Sequence, residues 1–205
     1  MKVNIWRRIG AYLIDLVIVV FILSAVYYFL PKKDHIQQLN HELTELNEQV
    51  LNKSISYSTY FKNFADITHQ IDYEQSLYTG IDILLICLYF IIIPMLNKGR
   101  TLGLYILGLK IEDQSGHLKF IHLLIRNLII NGILYMLVCF TCAYFMSGVP
   151  YFVVISIFGI IQILLVFISL FMILYRHDHK GLQDILSNTF ITREVLKWEN
   201  IQIKS

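Results

Sequence analysis

Long apolar runs separated by two polar, patterned stretches organise the chain. Residues 9–30 are apolar apart from Asp15, and at about 1.5 Å per helical residue they reach across a hydrocarbon layer about 30 Å thick. Residues 77–96 make a second such run, with Asp82 near its start and Pro94 near its end. From Asn127 to Tyr175 there is no formal charge, and Ser147-Gly148-Val149-Pro150 divides that stretch into two helix lengths. The pattern predicts an all-α membrane protein, a bundle of four transmembrane helices over residues 9–30, 77–96, 121–146 and 150–175, with the last two forming a hairpin.

The polar stretches have their own periods. In residues 31–76, Ile36, Leu39, Leu43, Leu46 and Val50 recur at steps of three and four, the seam of an amphipathic helix. Asp34 followed by Gln37 matches a capping box and sets the start of that helix, which is expected to run to about Asn52. After Ser54–Thr59 the apolar positions Phe61, Phe64, Ile67 or Thr68, and Ile71 fit a second helix, so the segment predicts a helical hairpin. Its seam must bury against something, either its own bundle or a protein partner docked on residues 34–71. In residues 97–120 the chain changes character: Gly99, Gly103 and Gly108 punctuate it, and Leu109-Lys110-Ile111-Glu112 alternates like a strand before a turn at Gln114-Ser115-Gly116. Thr189-Phe190-Ile191-Thr192 is a second strand-like run, and the two are expected to pair beneath the helices. Two short strands need such a packing surface to be stable.

Composition agrees with the pattern. The chain is 56% hydrophobic with a mean hydropathy of +0.59, which a soluble domain rarely sustains. The net charge of +2 is uninformative, but its distribution is not. Lys2, Arg7, Arg8, Lys98, Arg100, Lys110, Lys119, Arg126, Arg176, Lys180, Arg193, Lys197 and Lys204 flank the spans on one side, against Lys32, Lys33, Lys53 and Lys62 on the other. Positive residues favour the inner face. Both termini and residues 97–120 and 176–205 are therefore expected in the cytoplasm, and residues 31–76 outside a plasma membrane. Lipid is the partner this implies, anionic head groups meeting the basic tail, and no nucleic acid. Tyr28-Phe29-Leu30-Pro31-Lys32 lacks small residues at cleavage spacing, so the first span reads as an uncleaved anchor. Abundant isoleucine, lysine, asparagine and tyrosine fit a low-GC bacterial genome.

Candidate chemistry is sparse. A charge inside a membrane helix costs roughly 2.5–3.5 kcal/mol, so Asp15 needs a partner or a task. Arg8 lies two turns away on the same helix face, about 10.5 Å along the axis. That is too far for a bond between fixed positions, so Asp15 is expected to meet Arg126 from the third span, leaving Asp184 to take Arg8. Either these four charges clip the helices together, or Asp15 exchanges a proton or cation as its partner moves. Asn127 and Asn131, four apart on one helix face, and Gln162 in the last span mark a deeper polar path, or else amide glue between helices. Cys139 and Cys142 form a C-x-x-C, either a redox pair or small packing residues, with Cys87 apart from them. His177-Asp178-His179 lacks a further ligand and reads as a solvated run rather than a metal site. The glycines at 99–108 have the wrong spacing for a dinucleotide loop, and no catalytic triad or zinc-protease pattern occurs. Neither an enzyme nor a cofactor is expected.

Four motifs in order carry a resemblance: Arg8-x-x-Ala11-x-x-x-Asp15; Gly99-Arg100-Thr101-Leu102-Gly103 with Leu107-Gly108-Leu109-Lys110-Ile111; Arg126 entering the third span; and Gly181-Leu182-Gln183-Asp184-Ile185-Leu186-Ser187-Asn188-Thr189 after the last. Together they resemble the RDD membrane proteins, named for an arginine and two aspartates, here Arg8, Asp15 and Asp184. Residues 31–76 look like an insertion in that plan, and Phe190 stands where the family commonly has a basic residue. The resemblance implies a membrane protein of a group in which some members are proposed to move ions or other solutes. Three functions follow as expectations: a solute or cation transporter component titrating at Asp15, an accessory, assembly or immunity factor binding a partner through its outer helices, and a thiol oxidoreductase using Cys139 and Cys142. Four spans leave little room for a path within one protomer, so a transporter is expected to form homo-oligomers.

Overall fold

The computed structural model describes residues 3–31, 34–113 and 116–193. Lys2, Lys32, Lys33, Lys197 and Lys204 of the charge asymmetry, and Gln114 and Ser115 of the expected turn, lie outside them. The elements run α1 (Ile5–Phe29), α2 (Asp34–Leu51), α3 (Tyr57–Glu74), α4 (Ser76–Cys87), a π-helical turn (Leu88–Ile92), α5 (Ile93–Leu96), α6 (Leu102–Ile106), β1 (Leu109–Asp113), α7 (Phe120–Ile130), α8 (Ile133–Phe145), α9 (Gly148–Tyr175), α10 (Leu182–Leu186) and β2 (Thr189–Arg193).

Among the described residues three helices are long and apolar enough to cross a membrane: Ile5–Phe29, Ser76–Leu96 and Gly148–Tyr175. Their apolar residues are mostly not buried in protein, with Phe21, Leu84, Ile160 and Phe171 all exposed. A helix apolar on every side and unburied has lipid as its solvent; this is a membrane protein. The expected third span differs in form. It is broken at Asn131 and Gly132 (φ +66°) into α7 and α8, which make a fourth span only when taken together. Asn131 ends α7, and glycine alone takes the left-handed conformation that follows without strain.

The chain divides into two compact units, one of residues 1–25, 84–132 and 164–205, the other of residues 26–83 and 133–163. In the second unit α2 and α3 pack as a hairpin, and Leu39 and Leu46 of the α2 seam are its buried positions. Ser56 caps α3 by accepting the Thr59 N–H at 3.1 Å. Phe61 and Phe64 meet Phe152 edge-on at 5.6 and 5.4 Å, and His69 Nε2 lies 3.0 Å from the Ala143 carbonyl. Tyr151 is fully buried and donates to Asp72 at 2.7 Å. Burial pushes the Asp72 carboxyl up from its ordinary value, and the Tyr151 hydroxyl opposes that. The apolar seam of α2 is thus covered within its own unit. Leu39→Ala is expected to cost about 2 kcal/mol, seen as faster hydrogen exchange across α2 and α3 while the exchange of the other unit is unchanged.

The first unit contains the small sheet. Its strands are antiparallel, with Leu109 opposite Arg193, Ile111 opposite Ile191 and Asp113 opposite Thr189. Each follows a five-residue helix built alike: Thr101 and Gly181 begin α6 and α10 with φ near −80° (−79° and −80°), and Gly108 (φ +64°) and Asn188 (φ +56°) end them in the left-handed conformation. Ile111 and Ile191 hold equivalent places in the two copies and face each other in the sheet. These helix–strand elements are therefore an approximate two-fold repeat of one unit.

Candidate functional site

All four charges of the sequence motif lie in the first unit. Asp184 is 1% exposed and receives two arginines. Arg8 Nη2 donates to its Oδ2 at 2.6 Å, and Arg126 Nη1 bonds its Oδ1. The Gly181 N–H adds a third donor at 2.9 Å, so the carboxylate also caps its own short helix. Arg8 Nη1 bonds the His179 carbonyl, and Arg126 Nη1 reaches Thr189 Oγ1 at 3.2 Å. Burial pushes the Asp184 carboxyl up, but the guanidiniums of Arg126 and Arg8 and the Gly181 N–H outweigh it and hold the group below its ordinary value. The triad ties α1, α7 and α10 together.

Asp15 is arranged differently from expectation. Arg126 is committed to Asp184, and Asp15, 3% exposed, makes its hydrogen bonds to neutral groups. Tyr89 donates its hydroxyl to Oδ1 at 2.6 Å, Thr101 donates to Oδ2 at 2.6 Å, and the Gly103 N–H reaches Oδ1 at 2.7 Å. Among the described residues no ion pair is made by Asp15. The physical reason is position. Asp15 faces the first turn of α6, where Thr101 also accepts the Leu104 N–H at 3.3 Å, whereas α10 presents Asp184 to the arginines.

This geometry explains the motif glycines. A Cβ on Gly103 would strike the Ala11 carbonyl and come within 2.8 Å of the Asp15 Cγ. One on Gly99, itself at φ +84°, would strike the Ile111 carbonyl. Gly108 has nothing within 4 Å and serves conformation alone.

Asn127 and Asn131 form a chain of amides. Tyr12 donates to Asn131 Oδ1 at 3.2 Å, and Asn131 Nδ2 to Asn127 Oδ1 at 2.8 Å. Asn127 Nδ2 donates to the carbonyls of Leu123 (2.7 Å) and Phe90 (3.0 Å). Pro94 cannot return a hydrogen bond to the Phe90 carbonyl four residues back, so Asn127 satisfies it instead. The π-helical turn just before Pro94 carries Tyr89 toward Asp15. Gln162 belongs to the other unit and is half-buried there.

Arg8, Tyr12, Asp15, Arg126, Asn127 and Asn131 line one cavity of about 450 Å³, otherwise walled mainly by apolar side chains and including Ser169 and Gln183. Sequence reasoning missed Tyr89 and Ser169. Each sits in an apolar run where only its hydroxyl signals that a partner is needed. Cys139 and Cys142 are free thiols in the second unit, packed against Ala143, Tyr151 and Ile155. Asp82, also in the second unit, accepts from the Tyr27 hydroxyl. In the His177-Asp178-His179 run, Arg176 pairs with Asp178 at 2.9 Å and holds its carboxyl at about 2, and His179 Nδ1 lies 3.1 Å from the Ile173 carbonyl.

Among curated proteins and among solved structures nothing matches the chain. The family model of the RDD family matches residues 2–188, a span that holds Arg8, Asp15 and Asp184 together with the α6 and α10 turns that bind the two carboxylates, and the chain belongs to that family.

Proposed function

We propose that this protein is a transport component of the cytoplasmic membrane, with both termini inside, and that Asp15 is the group that takes up and releases a proton or cation. The orientation rests on the lysines and arginines that flank the spans. The observation that carries the reading is the contrast between the two buried acids. Asp184 has two guanidiniums and is fixed as an ion. Asp15 has hydroxyls and one N–H, and borders the cavity. Neutral donors stabilise a carboxylate without cancelling its charge, so a proton or small cation supplies what the surroundings withhold. The Arg8–Asp184–Arg126 triad is the fixed frame of the site, and no enzymatic step is assigned to it.

Reconstitution tests this. In vesicles carrying an imposed pH gradient, wild-type protein is expected to support coupled flux, and Asp15→Asn to lower it at least about tenfold while inserting and folding normally. Asn keeps the size, its one carbonyl oxygen can still accept from Tyr89 and the Gly103 N–H, and its amide nitrogen can donate to Thr101 Oγ1, so a loss reports the missing charge. Flux that is unchanged in Asp15→Asn rules the reading out.

A further inference from the structure

The cavity has a second polar end that the transport reading does not use. Arg8 commits Nη1 to the His179 carbonyl and Nη2 to Asp184, and its Nε is buried with no acceptor among the described residues. Gln183 is 0% exposed; its Oε1 accepts from Ser169, and its Nε2 is buried, again with no acceptor among the described residues. Both residues line the cavity, whose remaining wall includes Ile9, Ile130, Val166, Leu170 and Ile173. A buried donor with no acceptor is costly, and two of them on residues that line one cavity, one on a guanidinium, call for a pair of acceptor oxygens. Beyond them the space is apolar and within the range of small-molecule sites.

We infer that the cavity binds an apolar monocarboxylate, its carboxylate on Arg8 Nε and Gln183 Nε2 and its hydrocarbon along α1, α7 and α9, and that binding is accompanied by uptake of one proton at Asp15. The inference deepens the transport reading and rests on it for the role of Asp15. Charge balance supplies the link. Arg8 and Arg126 are matched by Asp15 and Asp184 in the same unit. A carboxylate entering this poorly solvated space leaves one negative charge uncompensated, and a proton on Asp15 restores neutrality. Asp184, between two arginines, is the wrong acid for the task. The other titratable or charged groups around Asp15 are Arg8 and Tyr12 on its own helix, Tyr89 of the π-helical turn and Arg126 of α7, while Arg100, beside Thr101, sits over the Tyr105 ring at 5.3 Å. Binding and protonation thus drive one another, as coupled transport requires.

The test uses radiolabelled octanoate and the purified full chain in detergent. Between about pH 8 and about pH 6, affinity is expected to rise by up to about tenfold for each unit that pH falls. Gln183→Leu is expected to weaken it about tenfold, and Asp15→Asn to bind with an affinity that no longer depends on pH. Equal competition by 2-nonanone, which has the chain but no charge, overturns the inference, and so does a pH dependence that survives in Asp15→Asn. A measurement on the wild type alone guards against variants that fail to fold: octanoate added to weakly buffered protein should draw close to one proton per molecule bound, and no uptake refutes the coupling. The two readings also fail separately. Octanoate binding with proton uptake but without flux in vesicles removes transport and leaves the site, whereas Asp15-dependent flux without octanoate binding removes the site and leaves transport.

Discussion

Asp184→Asn is expected to be the most damaging single substitution in the first unit, lowering thermal stability by roughly 10 °C or preventing recovery of folded protein from the membrane. The side chain keeps its size, so the loss is electrostatic. Arg8 and Arg126 are 9% and 8% exposed at the side chain, and both would remain buried facing an uncharged amide. Removing one partner of a buried pair costs about 3–5 kcal/mol, a large part of the stability of an ordinary fold. Thermal unfolding in detergent measures it. Adding Arg126→Met to the variant should recover part of the loss, because one of the two stranded cations is gone; a further drop would show that the arginine acts through packing and not charge. The pH dependence has a definite sign. The folded-state pKa of Asp184 is held below its ordinary value, so its contribution is complete above the unfolded pKa, about 3.9, and disappears as pH falls through the lower folded value. Wild-type protein should therefore lose stability below about pH 4, and Asp184→Asn should lack that component of the loss.

The same triad shows what was legible in the sequence. The spans could be read from apolar runs, and the α2 seam from its three–four spacing, because burial and lipid exposure act on every residue of a helix face. The strands at Leu109 and Thr189 pair as their alternation predicts. Partner choice was less accessible. Depth along the helix suggested Asp15 with Arg126, but hydrogen bonding is decided by the orientation of short turns. The α6 turn brings Thr101 and the Gly103 N–H to Asp15, and the α10 turn brings Asp184 to both arginines. The repeat of these two turns was hidden for a related reason. Its copies share backbone dihedrals while few of their side chains agree, Leu102 with Leu182 and Ile111 with Ile191 among them. The break at Asn131-Gly132 was masked by an unbroken lack of charge, which carries no information on helix direction.

Gly103 gives the sharpest test of how α6 holds Asp15. Its backbone N–H is 2.7 Å from Asp15 Oδ1, and its Cα sits so close to α1 that any Cβ would meet the Ala11 carbonyl. Ala11 is itself 1% exposed, so α1 cannot give way by moving a flexible side chain. The obstacle is space and not backbone conformation, since Gly103 is absent from the left-handed glycines. Gly103→Ala is expected to cost about 2 kcal/mol and Gly103→Val about 3 kcal/mol or more, with α6 forced away from α1 and the N–H drawn off the carboxylate. Gly108→Ala is the control with the opposite cause. Gly108 has open space around it but a φ of +64°, so alanine there meets only the conformational cost of about 1 kcal/mol. Thermal unfolding should rank Gly103→Val, Gly103→Ala, then Gly108→Ala, and Asp15-dependent flux should fall with the first two and persist in the third. If Gly108→Ala proves the more harmful, the close approach of α6 to α1 does not hold Asp15, and its burial has some other cause.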